Sequence, residues 1–355
     1  MKRLLFLVLA WVLGSSATVA LAAGDLPAKQ QAGLVFSQHN GAQHTIYLAE
    51  RDGSGRREVA SGADLAVYIE GRHFLYVIGQ KLYEYDPATQ KSHLVHQFSE
   101  AKILVQVISK EPDQAIVAGV NDYQTNWYIL EFSDDSVRKV DSPNFRGTSA
   151  GVASPDQSTV AIVKSAILDF RYGLTVKQNK KADWTLPNDL TVLPEFKWSP
   201  DSKWLAFYAK KFDSNLDGFY SLYLLDVPNR QLQLIQEKSF TVLFFSLRAG
   251  AYTPDWSADS KALIYSYQLY GTVGRTGLYE YRVDSGKKTL LTGGDTLNEY
   301  PRWAPDGRNI AFISTREAGQ AQLYVMDERG EAIHRISPDQ GTTEWALWYQ
   351  PEALK

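Results

Sequence analysis

The string Asp213-Ser214-Asn215-Leu216-Asp217-Gly218 sets oxygen-bearing side chains at alternate positions ahead of a glycine. Short loops wrap a calcium ion with this pattern, so Asp213, Asn215 and Asp217 are the candidate ligands and calcium the candidate ion. The twelfth position counted from Asp213 is Leu224, so the bidentate glutamate of an EF-hand is missing. A solvated Asn/Asp/Gly hairpin is the alternative reading. Histidines stand at 39, 44, 73, 93, 96 and 334, and only His93 and His96 are close. A spacing of three along a strand predicts rings on opposite faces, which argues against a zinc pair. The chain has no cysteine, which removes disulfides, thiol nucleophiles and thiolate metal sites. Lys177, Lys180 and Lys181 read as a solvated basic loop, and Gly53-Ser54-Gly55 as a strand-to-strand turn. No G-x-S-x-G string of a serine-nucleophile elbow is read anywhere in the chain, and no motif rises to catalysis.

What must position such groups is a repeated β element. Phe196-Lys197-Trp198-Ser199-Pro200-Asp201-Ser202 is echoed by Pro301-Arg302-Trp303-Ala304-Pro305-Asp306-Gly307 and by Pro254-Asp255-Trp256-Ser257-Ala258-Asp259-Ser260. Weaker copies surround Asp156 and Asp113, so the marker aspartates fall at 113, 156, 201, 259 and 306. Proline presets φ at the second turn position, and aspartate beside it bonds the local backbone. Two further strands follow each copy, as in Gln322–Asp327 and Ala332–Ser337. Four strands per unit of 40–50 residues, without helical periodicity, predict a β-propeller blade.

This phrase, with its Leu323-Tyr324-Val325-Met326-Asp327 strand and closing Ile336-Ser337, resembles the WD40-like Pro-Asp repeat of TolB-like periplasmic propellers. The propeller domains of dipeptidyl-peptidase-type enzymes share it. The resemblance is strong over about residues 147–337 and weaker over 33–140. It implies an all-β propeller and a scaffold that binds a protein or peptide partner. Propellers also host enzymes and glycan-binding modules, so fold alone does not choose. Only 18 residues follow Ser337, so the hydrolase domain of the peptidases is not expected. The domain that precedes the propeller in TolB is not recognisable either. Oligosaccharide lyases of related propeller type imply a multi-histidine metal cluster, and the histidines here are scattered.

The two ends complement each other. Gly33–Ser37, Thr45–Glu50 and Arg57–Ala60 read as second, third and fourth strands, and Trp345–Tyr349 as a first strand with nothing after it. Pairing them would seal the ring and leave no open edge. Second strands near Val35, Leu75, Ile116, Ala161, Ala206, Ile264 and Ala311 give seven blades, with six or eight still open because Leu168–Leu190 resists parsing. Ahead of the ring, Lys2-Arg3, the apolar run Leu4–Leu13 and Ala20-Leu21-Ala22 read as a signal peptide cleaved after Ala22. That leaves a short leader over 23–32 and a single propeller over 33–355. The apolar run is too short to span a bilayer, so a periplasmic or secreted monomer without a transmembrane segment is expected.

A net charge of −3, from 37 basic and 40 acidic residues, argues against a nucleic-acid surface. Binding is expected on the face that carries second-to-third loops and blade connections, because it holds the longest loops, including Lys210–Gly218 and Tyr267–Thr276. There Arg248, Tyr252, Asn298, Glu299 and Tyr300 are the candidate rim of the channel mouth. The expected partner is a protein or peptide of the cell envelope. A carbohydrate-binding module, or an enzyme with its site at the channel mouth, is the alternative.

Overall fold

The computed structural model describes residues 32–349 except 42, 64, 68–73, 87–88, 108–113, 122–124, 141–148, 167–170, 179–180, 212–218, 242–252, 269–274, 294 and 318. Seven antiparallel sheets of four strands stand in a ring, a seven-bladed β-propeller. Blade 1 runs Thr342–Tyr349, Gly33–His39, His44–Ala49, Arg57–Ser61, and blade 2 runs Leu65–Val67, Phe74–Ile78, Lys81–Asp86, Lys91–Gln97. Blade 3 is Lys102–Val107, Gln114–Val120, Thr125–Glu131, Ser136–Val140. Blade 4 is Ser149–Ala153, Thr159–Ala166, Arg171–Gln178, Trp184–Thr185, and this resolves the stretch that sequence left unparsed. Blade 5 is Leu190–Trp198, Trp204–Lys211, Phe219–Asp226, Gln231–Thr241. Blades 6 and 7 begin with Asp255–Trp256 and Asn298–Trp303 and continue through Ala262–Gln268 and Asn309–Ser314. All seven expected second strands are second strands.

Closure is by the C-terminal strand: Leu34 pairs Trp348 and Phe36 pairs Ala346. First strands of successive blades touch one another, from blade 5 through 6 and 7 to the closing strand, so they form the inner wall. Alternation along each strand sends one row of apolar side chains to each neighbouring blade, and the core is a circle of inter-blade clusters. Trp198 packs among Val163 and Val176 of blade 4, and Trp256 among Leu222 and Leu224 of blade 5. Trp303 packs beside Leu278 of blade 6. All three tryptophans are buried.

The Pro-Asp turn is held by its own side chains. Ser199 Oγ donates to Asp201 Oδ1 at 2.7 Å and accepts the Trp204 N–H at 2.9 Å. The Ser154/Asp156 and Ser257/Asp259 turns repeat this. The residue that ends each turn is left-handed: Gln157 at φ 58, Ser202 at 63, Ser260 at 61 and Gly307 at 70. That residue also ties neighbouring blades. Asp156 N–H donates to Ser202 Oγ at 3.0 Å, and Asp201 N–H to Ser260 Oγ at 2.9 Å. At the next step Gly307 has no hydroxyl to offer Asp259.

Blade 4 also corrects the reading of the serine motifs. Gly147-Thr148-Ser149-Ala150-Gly151 has the G-x-S-x-G spacing, so the string does occur in this chain. Ser149 opens the inner strand Ser149–Ala153, which turns into a second strand and not into a helix. A nucleophile elbow needs the strand-to-helix turn, so Ser149 is not one.

Candidate binding face

Strands alternate direction within a blade, so second-to-third loops and blade connections share one face of the disc. On that face the connection from blade 6 to blade 7 is a closed polar strap. Asn298, fully buried, donates through Nδ2 to the carbonyls of Thr276 at 2.6 Å and Gly293 at 2.9 Å. Its Oδ1 accepts Ser314 Oγ at 2.8 Å and Arg316 Nη2 at 3.2 Å. The Arg316 guanidinium lies 4.8 Å from the Phe312 ring centre and 5.0 Å from that of Tyr324. Burial pulls Arg316 below its ordinary pKa, and burial pushes the Tyr324 hydroxyl up to about 12. Asn298 is therefore spent on joining blades.

Glu299 and Tyr300 follow it on the inner strand of blade 7, and both are buried. Tyr300 has φ 55, a strained value for a bulky residue, and the strand loses register between Glu299 and Arg302. Its ring packs with Ile313, Ala321 and Trp345, with the Arg302 guanidinium 5.8 Å from its centre. Arg248 and Tyr252 lie outside the described residues, as do the Asp213, Asn215, Asp217 string, the Asp113 marker and the leader over 1–31.

Sequence reasoning missed the recess on this face. Between blades 1 and 7 lies an open cavity of about 380 Å³ lined by Gln38, Asn40, Thr45, Tyr47, Pro338, Asp339 and Gln340. Cross-strand pairing puts Gln38 opposite Thr45 and Phe36 opposite Tyr47, so Gln38, Thr45 and Tyr47 share the side facing blade 7. Gln38 is buried and donates from Nε2 to Gln322 Oε1 at 3.2 Å and to the Pro338 carbonyl at 3.4 Å. Gln322 in turn donates to the Gly341 carbonyl at 2.6 Å, which fixes the connection that forms the recess wall. The available signal was a glutamine at an inward position of each strand, Gly33–His39 and Gln322–Asp327, where the alternation calls for apolar residues.

Deeper on the inner wall, Lys197 Nζ and Asp255 Oδ1 form an ion pair at 3.1 Å between blades 5 and 6. Asp255 Oδ2 accepts the Trp303 N–H of blade 7 at 2.8 Å, so one carboxylate links three blades. Burial also surrounds Glu100, in the connection from blade 2 to blade 3. Desolvation alone would raise its pKa; hydrogen bonds from Asn126, Tyr128 and Ser99 outweigh it and hold the carboxyl below its ordinary range. Burial and this carboxylate push Tyr128 up to about 12.

The histidine pair departs from expectation. Glu84 pairs His93 and Leu82 pairs His96, with a bulge between the two pairs. Glu84 and Leu82 are two apart on one strand, so the extra residue turns both rings to the same side. His96 stands 6.4 Å from the Tyr128 ring of blade 3, and His93 Nε2 lies 3.1 Å from Asp135 Oδ2 of the same blade. Lys177 pairs loosely with Asp183 at 3.8 Å, as a solvated loop does.

No family model matches the chain. It is 33% identical over 86 residues to the Tol-Pal system protein TolB of Francisella tularensis subsp. mediasiatica, covering 24% of this chain and 19% of that protein. An uncharacterised protein of Agrobacterium fabrum is 34% identical over 98 residues, 27% of this chain and 31% of the relative. The chain thus spans about a fifth of the length of the TolB relatives it matches. Among solved structures, puromycin hydrolase aligns over 94% of this chain and 55% of its own at 13% identity and TM-score 0.59. Oligogalacturonate lyase from Vibrio parahaemolyticus aligns over 82% and 91%, at 12% identity and TM-score 0.55. These two share the fold. The chain is a seven-bladed β-propeller whose repeat is similar to that of TolB proteins.

Proposed function

We propose that this chain is an exported propeller that binds a protein or peptide partner of the cell envelope through the face of second-to-third loops and blade connections. The recess between blades 1 and 7 carries the proposal. It offers side-chain amides, a hydroxyl, a carboxylate and one aromatic ring on a rigid frame, groups that suit a peptide main chain and a polar side chain. The opposite face has short Pro-Asp turns whose polar groups are bonded locally, which leaves little to recognise a partner. Specificity built on connections costs a ring of fixed blades little stability. Export rests on Lys2-Arg3, the apolar run after them and the Ala20-Leu21-Ala22 site. Similarity to a Tol-Pal system protein favours a periplasmic setting.

The immobilised mature chain, presented with envelope extract and a cross-linker, should capture a stoichiometric protein. Gln340→Arg with Asp339→Lys should abolish capture and leave melting unchanged, whereas Asp201→Ala on the far face should not affect capture. Capture lost only with Asp156, Asp201 or Asp306 would place the partner on the wrong side of the disc for this reading. Tyr47 beside amide groups also fits a short glycan. Titration with envelope oligosaccharides distinguishes the two, since only a glycan site would show saturable binding without protein.

A further inference from the structure

We propose that Glu84, His93 and Asp135 form a binding site for a divalent transition-metal ion of the zinc class, clasping blade 2 to blade 3. The three come from three separate segments. Glu84 and His93 are directly opposed on the third and fourth strands of blade 2, and Asp135 sits in the last turn of blade 3. His93 Nε2 is 3.1 Å from Asp135 Oδ2 and 3.6 Å from Glu84 Oε2, and the three ligand atoms lie within 4.8 Å of one another. Ligands on a tetrahedral ion with bonds of 2.0–2.2 Å are separated by about 3.3–3.6 Å. The His93–Glu84 separation falls there, the His93–Asp135 separation is slightly shorter, and the third pair closes within 4.8 Å, so small side-chain shifts bring all three onto one ion.

The donor set also selects the ion. One imidazole with two carboxylates suits zinc or a neighbouring transition metal and is poor for calcium, which takes oxygen ligands. An imidazolium would offset one of the two carboxylate charges, whereas a divalent ion on a neutral imidazole offsets both. Glu84 is 6% exposed while His93 and Asp135 are open, which gives an anchored ligand on one side and an access path on the other. Asp135 is held at φ 56, in the left-handed region, which sets the direction of its carboxylate. The site lies close to the Pro-Asp face, away from the binding face, so its role is to fix two blades.

The test is zinc titration of the full chain after chelator treatment, followed by calorimetric melting and by the visible spectrum with cobalt as substitute ion. The expected result is one equivalent bound, cobalt absorption bands, and a melting temperature that climbs with the logarithm of free zinc. His93→Gln and Asp135→Asn should each weaken binding by more than the roughly 10–100-fold lost with an outer-shell partner. Asparagine tolerates the left-handed conformation at 135, so that variant should melt like the parent in chelator. His44→Gln, which alters the ring stacked on His39 in blade 1, should leave zinc binding intact. No zinc-dependent shift at millimolar ion overturns the proposal. A shift that survives both His93→Gln and Asp135→Asn, or disappears in His44→Gln, overturns it too.

Discussion

The indole Nε1 of Trp348 donates to the carbonyl oxygen of Arg302 at 3.0 Å. Trp198 makes the same bond to Val152 at 3.1 Å, and Trp256 to Lys197 at 3.2 Å, each reaching the inner strand of the preceding blade. In every case the acceptor lies two positions before the residue that starts the Pro-Asp turn or its equivalent. Trp348 therefore occupies the motif tryptophan position of blade 1, although the sequence after it reads Tyr349-Gln350-Pro351-Glu352 in place of the Pro-Asp phrase. The closing strand is the missing first strand of the first blade, bonded into the ring as its counterparts are.

Removing residues from Trp345 onward should thus open the ring and expose two strand edges. We expect loss of a single cooperative unfolding transition, together with aggregation. Light scattering and denaturant unfolding check this; an unchanged midpoint and a monodisperse truncated protein would contradict the closure.

The tryptophans should differ in one respect. Trp256→Ala and Trp303→Ala should each cost about 3–5 kcal/mol, because each leaves a large cavity between blades. Changes to Phe should separate them. Trp256 Nε1 has its carbonyl, while the buried Trp303 Nε1 has no hydrogen-bond partner. Trp256→Phe should lose about 1 kcal/mol more than Trp303→Phe from the lost hydrogen bond. Urea midpoints of the two variants measure the difference.

Asp255→Ala should be costlier than Lys197→Ala. Both break a pair whose side chains are 10% and 14% exposed, a loss of about 3–5 kcal/mol when one charge is stranded. Only the aspartate change also deprives the Trp303 N–H of its acceptor. Equal destabilisation of the two variants would show that the bond to blade 7 contributes nothing.

Acid should weaken the protein partly through Glu100. Its folded pKa lies below the ordinary 4.5, so its contribution is fully present above that value and is lost as pH falls through the depressed one. Glu100→Gln should lower stability at neutral pH and flatten the acid limb of the stability curve. Unfolding midpoints between about pH 3 and 6 test the sign, and parallel curves for parent and variant would refute it. Gly119→Ala should mimic the loss, since a Cβ there would stand 2.6 Å from Glu100 Cδ.

The blade itself was legible along the chain. Trp198, Trp256 and Trp303 ahead of their turns, Asp156, Asp201, Asp259 and Asp306 within them, and a first strand left over at Trp345 are local patterns. Each is set by turn chemistry and by the two-residue period of a strand, which act over a few neighbours. Sequence alone therefore determined the propeller, the places of its second strands and its mode of closure, while the seven sheets of the structure decided the blade number between six and eight.

The sites were decided by contacts between residues far apart in the chain. Gln38 meets Gln322 only because blade 7 returns beside blade 1. Asn298 is exposed by its type yet buried by the strap it forms with Thr276 and Ser314. A single bulge, invisible in the spacing of His93 and His96, puts the His96 ring on the side of His93, which itself meets Asp135 42 residues away. A one-residue shift flips the face of everything beyond it, and its position depends on how the blades pack, which the local pattern does not contain.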